Sequence, residues 1–206
     1  MDNIDIINMS KLVGVIKNNG VLVDVGANVG DYTHFFLKNI NDDGKVYAIE
    51  LSSETCNILN TKFRDNKNVI ILNNAVSDNN DVINYYGDRD NICMNNIIGY
   101  DMYLKENKVL GQVKAITLDE LLKNEELINL IKIDVEGAEL LVLKGMYKTI
   151  DKVEFLLVEC HLDEDWDTIR NILLNDFKLS CENYLENTEI TMDSKRPYQC
   201  FCKKIK

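Results

Sequence analysis

The sequence predicts an α/β protein built on an open, doubly wound, mostly parallel sheet that ends in an antiparallel hairpin. Three observations predict it. Short apolar runs rich in Val, Ile and Leu alternate repeatedly with segments of helical spacing, the pattern of parallel strands joined by crossover helices. The first run, 21–25, passes straight into a glycine turn, Gly26-Ala-Asn-Val-Gly30, and then into a helical pattern. The last two β-rich runs, 177–184 and 198–203, have no helical pattern between them.

Each element can be justified in turn. Residues 3–18 read as an entry helix within an N-terminal segment 1–19, with Ile4, Ile7, Leu12, Val15 and Ile16 near helical spacing. Residues 21–25 form a buried strand and 32–38 a helix. A second strand spans 45–50, followed by a helix over 52–63 opened by the capping candidates Ser52 and Ser53. The third strand covers 68–75. Strands at 82–86 and 109–116 flank a polar, Asn-rich excursion at 88–108, and Thr117-Leu-Asp-Glu120 supplies a capping box for a helix through Lys123. A fourth strand at 127–135, a helix at 138–146, a fifth strand at 153–160 and a helix at 166–175 precede the hairpin.

The 206 residues, 46% hydrophobic and 28% charged, suit a single domain over 1–206 with one core. With 34 acidic against 23 basic residues the net charge is −11. That balance repels phosphate backbones, and the only basic cluster is the tail Lys203, Lys204, Lys206, so no nucleic-acid partner is expected. No apolar run approaches the roughly 20 residues of a membrane helix, and the acidic start Met1-Asp-Asn-Ile-Asp lacks the basic n-region of a secretory signal. A cytoplasmic protein without a membrane partner is expected, as monomer or homodimer. Cys56, Cys93, Cys160, Cys181, Cys200 and Cys202 are scattered without zinc-type pairing and read as buried thiols.

The sharpest local chemistry is Asp24-Val-Gly-Ala-Asn-Val-Gly30. Glycines at a strand-to-helix turn let backbone approach a ligand, although tight packing alone would also select them. Glu50 closes the next strand, where a carboxylate reaches ribose hydroxyls. A dinucleotide fingerprint would need glycine at 28 and 31, where this chain has Asn28 and Asp31, and an acid in the first helical turn repels pyrophosphate. S-adenosylmethionine, cationic and free of phosphate, suits the acidic rim.

Beyond that turn, the blocks Tyr47-Ala-Ile-Glu50, Asn73-Asn-Ala-Val-Ser-Asp78, Thr117-Leu-Asp-Glu-Leu121, Ile131-Lys-Ile-Asp-Val-Glu-Gly-Ala-Glu139 and Leu157-Val-Glu-Cys-His161 occur in order. Together with Val23-Asp-Val-Gly-Ala-Asn-Val-Gly-Asp-Tyr-Thr33, this succession resembles the FkbM-type methyltransferases across roughly residues 20–162. The resemblance implies a Rossmann-like, seven-stranded sheet and methyl transfer from S-adenosylmethionine to a hydroxyl of a sugar, glycan or other natural product. It assigns Asp24, Gly26, Asn28 and Gly30 to the amino-acid end of the cofactor, Glu50 to the ribose and Asn74 and Ala75 to the adenine, with Ala27, Tyr32, Thr33, Leu51 and Asp134 as further cofactor-binding residues. The family commonly has Glu-Pro where this chain has Glu50-Leu51, which alters the turn after that strand.

An alcohol acceptor needs its proton removed as it attacks. Alternation along 133–136 puts Asp134 and Glu136 on one side, and Glu159 and His161 repeat the arrangement on the next strand. His161 is the expected base, with Asp134 orienting acceptor or cofactor. Glu136 and Glu139 also suit a helix start, where acids favour the dipole. No metal is assigned, although Asp134, Glu136, Glu159 and His161 supply hard ligands; the alternative set is Asp134, Glu159 and His161. The excursion 88–108, with Asn91, Met94, Asn95, Asn96, Tyr100 and Tyr103, reads equally as an acceptor wall or a surface loop. Trp166 suits a core anchor and His34 a surface or packing position. Methylation of an amino-sugar nitrogen, and a binding module that keeps the fold without catalysis, are the competing functions.

Overall fold

The computed structural model describes residues 9, 11–88, 91–99 and 108–205. In chain order its elements are β1 (Val21–Val25), α1 (Asp31–Asn39), β2 (Lys45–Glu50), α2 (Ser53–Phe63), β3 (Val69–Asn73), β4 (Ala75–Val76), β5 (Val82–Asp88), β6 (Asn91–Asn96), β7 (Lys108–Ile116) and α3 (Leu118–Leu121). Then follow β8 (Ile128–Ile133), α4 (Glu139–Lys144), a 3-10 turn (Thr149–Lys152), β9 (Val153–Glu159), α5 (Asp163–Asn171) running into a π-helical turn (Ile172–Asp176), β10 (Leu179–Asn183), β11 (Thr188–Glu189) and β12 (Gln199–Lys204).

The main sheet has the order β11-β10-β12-β9-β8-β1-β2-β3. Strands β3, β2, β1, β8 and β9 are parallel, while β12, β10 and β11 are antiparallel. The expected mostly parallel sheet with its terminal hairpin is therefore present, and the two-residue β11 adds an eighth, outermost strand. All six residues of β8 are buried, as a strand covered on both faces requires. Period-two alternation divides its neighbours: Val23, Val25, Ile131 and Ile133 pack with Val142 and Leu143 of α4 and Trp166 and Ile169 of α5, whereas Leu22, Leu130 and Leu157 join Phe36 of α1. Trp166 is accordingly a core anchor, 4% exposed. From β1 the chain winds one way through β2 and β3, and from β8 the other way to β9. Strand order thus reverses between β1 and β8, where an open α/β sheet places its ligand.

Several local expectations change. The run 68–75 is split, because Asn74 donates its backbone N–H to Glu50 O (3.1 Å) and its side-chain amide to Lys114 O (3.0 Å). The chain thereby leaves the main sheet, and β4 joins a second sheet of order β4-β7-β5-β6. The excursion 88–108 is not loop throughout, since β6 pairs antiparallel with β5; Tyr100 and Tyr103 lie outside the described residues. The entry helix does not reach residue 18. Its described part ends at Leu12, and the Asn129 side chain ties down the segment beyond, accepting from Lys17 N (2.8 Å) and donating to Val15 O (3.1 Å). Ile4 and Ile7 lie outside the described residues.

The capping box is half made. Thr117 Oγ1 accepts Glu120 N (3.1 Å), but the Glu120 carboxylate turns to Lys123 (2.6 Å) and Thr117 N goes to Asn80 (3.0 Å). The thiol expectation needs correction at Cys181 and Cys202, which face each other across β10 and β12 and form a disulfide. Cys56, Cys160 and Cys200 are buried free thiols; the Cys93 side chain lies outside the described residues.

Gly26 marks where the two halves of the sheet meet. Its φ is +76°, and a Cβ there would stand 1.8 Å from Asp134 O. Gly26→Ala is therefore expected to cost about 2 kcal/mol or more and to lower Tm by roughly 4–8 °C in a chain of this size. Gly14→Ala, whose Cβ would meet nothing within 4 Å, should leave Tm unchanged or slightly higher, so thermal melts of the pair separate the contact from a generic glycine effect.

Candidate active site

The carboxyl ends of β1, β2 and β8 border two adjoining cavities with empty volumes of about 290 and 380 Å3. The first is apolar, lined by Val25, Ile49, Leu51, Ala75, Val76 and Ile97, with Asn74 at its edge. The second is lined by Asn28, Glu50, Asn95, Asp134 and Glu136. Gly26, Leu51 and Val135 belong to both.

Glu50, 7% exposed, accepts Asn28 N and Ser52 N at 2.9 Å each. Burial pushes its pKa up, against the opposing pull of those N–H groups. The hydrogen bonds orient its carboxyl group at the rim between glycine turn and cavity.

Beneath the turn lies a buried charge line. Lys132 of β8, 4% exposed, pairs with Asp24 (3.4 Å) and Asp134 (3.1 Å), donates to Gly26 O (3.1 Å) and sits 5.1 Å over the Tyr32 ring. Burial alone would lower its pKa, but Asp134 and Asp24 overcome that and raise it. Asp24 is fully buried, its Oδ2 accepting the Thr33 hydroxyl (2.6 Å). Sequence reasoning missed Lys132, although a lysine inside an apolar strand was itself the signal, since such a charge is buried only with partners.

At the mouth, His161 is surrounded by acids. Its Nδ1 meets Glu139 Oε1 at 2.8 Å, and its Nε2 lies 3.5 Å from Glu159, 3.6 Å from Glu136 and 3.8 Å from Asp134. Asp134 and Glu136 do not converge by strand alternation, because β8 ends at Ile133 and Glu136 and Gly137 both take positive φ, 52° and 100°. A turn brings the two carboxylates round to the ring. Burial alone would lower the His161 pKa, but hydrogen bonds to Glu139 and Glu159 and the charges of Glu139 and Asp134 push it up to about 11. A pKa raised in this way favours the protonated ring, whereas a general base needs the neutral one. Burial, followed by the charge of Asp134, pushes Glu136 up to about 7. Glu159 is held low: burial would raise it, but hydrogen bonds from His161, Tyr198 and Gln199 prevail. Asp134, Glu136 and His161 offer one ligand atom each within 4.8 Å of one another, so the set a divalent ion could bridge contains Glu136 rather than Glu159, and only by displacing the His161 proton.

Of the expected cofactor residues, Gly26, Asn28, Glu50, Leu51, Asn74, Ala75 and Asp134 line the cavities. Asp24, Thr33 and Tyr32 instead support Lys132. Ala27 packs with Leu59 and Phe63, and Gly30 serves contact between helices, since a Cβ there would come within 2.6 Å of Phe63. His34 is exposed on α1. Asn95 of the excursion faces Glu50, Asp134 and Glu136 across the second cavity.

Sheet order and switch-point cavities define a protein with a Rossmann-like methyltransferase fold. An rRNA methylase from Streptococcus thermophilus superposes with TM-score 0.58 at 14% identity, covering 100% of this chain and 99% of its own. A methyltransferase FkbM from Methylobacillus flagellatus KT gives 0.57 at 16% identity, over 93% of this chain and 45% of that one. At such identities both speak for fold alone. The particular family follows from sequence: a model of the methyltransferase FkbM domain matches residues 24–183, and the chain belongs to the FkbM family of S-adenosylmethionine-dependent methyltransferases. The hexuronic acid methyltransferase AglP of Haloferax volcanii is 32% identical over 169 residues, which cover 81% of this chain and 66% of that protein.

The residues fit the family's cofactor. An apolar cavity suits adenine, the oriented carboxylate of Glu50 suits ribose hydroxyls, and the carboxylate-rich mouth suits a sulfonium cation. Among the described residues no helix is long and apolar enough to cross a membrane.

Proposed function

We propose that this protein methylates a hydroxyl of a sugar or glycan. The observation that carries the reading is the cluster at the cavity mouth, where the carboxylates of Asp134, Glu136 and Glu159 lie 3.5–3.8 Å from His161 Nε2 and burial pushes the Glu136 pKa up to about 7. The relative named for hexuronic acid methylation supports a carbohydrate acceptor, and the net charge of −11 disfavours nucleic acid.

In this reading Glu50 holds the ribose, Leu51, Asn74 and Ala75 border the adenine, and Gly26 and Asn28 carry the backbone toward the amino-acid end. S-adenosylmethionine, when bound, supplies an electrophilic methyl group. Glu136 takes the acceptor's proton, a role that needs a pKa near the working pH. His161 keeps Asp134, Glu136 and Glu159 together by its positive charge, and Lys132 holds Asp134 against the glycine turn.

Calorimetry should show S-adenosylmethionine binding that Glu50→Ala weakens at least tenfold. Incubation with a panel of hydroxylated sugars should then yield products heavier by one methylene group, and the absence of product from every sugar would refute the reading. Product fragmentation also tests the amino-sugar alternative, which the surplus of carboxylates around His161 favours because an ammonium group would neutralise it. Turnover should persist in EDTA.

A further inference from the structure

We propose that Glu139 is a positioning residue for methyl transfer, acting through the His161 ring and through the turn that carries Glu136; the proposal rests on the methyl-transfer reading above. Glu139 is the first residue of α4 and only 1% exposed. Its Oε1 accepts three N–H groups, from His161 Nδ1 (2.8 Å), Gly137 N (3.1 Å) and Val135 N (3.3 Å). Two of these are backbone donors just before a helix, and helix capping alone would account for them.

The third is different in kind. His161 lies just past the end of β9, on a separate segment, and its contact is the shortest of the three. The ring has two nitrogens, and the Glu139 bond decides which one faces the cavity mouth: with Nδ1 engaged, Nε2 points among Asp134, Glu136 and Glu159 at 3.5–3.8 Å.

The two backbone bonds then acquire a second consequence. Glu136 is a non-glycine residue in the left-handed region and Gly137 follows it at φ 100°, a conformation that persists only where its surroundings hold it. The turn is held from below by Glu139 and from above by Ile98, which would lie 2.7 Å from a Cβ on Gly137. One buried oxygen thus fixes the positions of both the imidazole and the Glu136 backbone, so the proton acceptor and the ring that orders it move as a unit. Rate is sensitive to such positioning, and a misplacement of about 1 Å can cost about 100-fold.

The test compares wild type, Glu139→Gln and Glu139→Ala. Glutamine keeps an oxygen able to cap the turn and preserves folding should alanine not. We expect kcat to fall about tenfold in Glu139→Gln and about 100-fold in Glu139→Ala, with S-adenosylmethionine affinity by calorimetry within about twofold of wild type. The chain has two histidines, so the downfield proton signal of the hydrogen-bonded His161 Nδ1–H can be assigned with His34→Gln as control. That signal should shift in Glu139→Gln and vanish in Glu139→Ala. A variant that loses the signal yet turns over like wild type would overturn the proposal, as would a loss of turnover that only tracks loss of cofactor affinity. If wild type itself methylates no sugar, the acceptor reading fails first and the role assigned to Glu139 fails with it.

Discussion

Replacing Lys132 by methionine should destabilise the protein by about 3–5 kcal/mol, the usual consequence of removing one partner from a buried ion pair. For a chain of this size that is a fall in Tm of roughly 10 °C. The side chain is 6% exposed and its two carboxylate partners, Asp24 and Asp134, are 0% and 26% exposed. Methionine fills a similar volume, so the loss reports the stranded charges rather than a cavity. The effect should extend to function, because Lys132 ties the Gly26 carbonyl to Asp134 and so joins the cofactor turn to the acceptor side. Adding Asp24→Asn to Lys132→Met should restore part of the lost stability, since it removes the most buried unpaired charge; strict additivity of the two would show that the pair is not coupled. Thermal melts with calorimetry of cofactor binding measure both consequences.

Glu136→Gln should reduce turnover by about 10²–10⁴-fold, the range of general-base catalysis, while leaving cofactor affinity within about twofold. In wild type the rate should rise with pH and level off above about 7, because the carboxyl must be ionised before it can accept a proton and its pKa is about 7. Below that value the rate should drop about tenfold per pH unit. The variant's residual rate should lack this limb. Linkage gives an independent check with a definite sign. The raised pKa means that the folded protein binds this proton more tightly than the unfolded chain, so Glu136 makes stability decline as pH rises from about 4.5 to about 7. Glu136→Gln should remove that decline and melt higher than wild type at pH 8. A variant that kept the acid limb would transfer the base role to Asp134, which burial raises.

Much of this architecture is written in local pattern. A strand covered on both faces is mostly apolar, so 21–25, 45–50 and 127–135 stand out as runs despite Asp24, Asn129 and Lys132. Glycine at 26 is required by a positive φ and a 1.8 Å approach to Asp134 O, and such a requirement is legible as a glycine turn. Element ends were less legible, because competing side-chain bonds set them. Asn129 ends the entry helix from more than a hundred residues away, and Asn74 divides what reads as one strand between two sheets. The Cys181–Cys202 disulfide depended on the register of β10 against β12, which spacing alone does not specify.

The sequence by itself determined the mostly parallel sheet, the glycine turn after its first strand and most of the acids near that turn, since periodicity and glycine placement are properties of short segments. Only the tertiary structure decided what those residues touch. Asp24 belongs to a buried charge line with Lys132 instead of lining a cavity, Glu139 grips the His161 ring instead of merely opening a helix, and the acids around His161 push its pKa above the near-neutral value of a free histidine. The physical reason is the same in each case: charge state and orientation depend on the distances and desolvation of groups brought together from separate strands, and those distances exist only once the chain has folded.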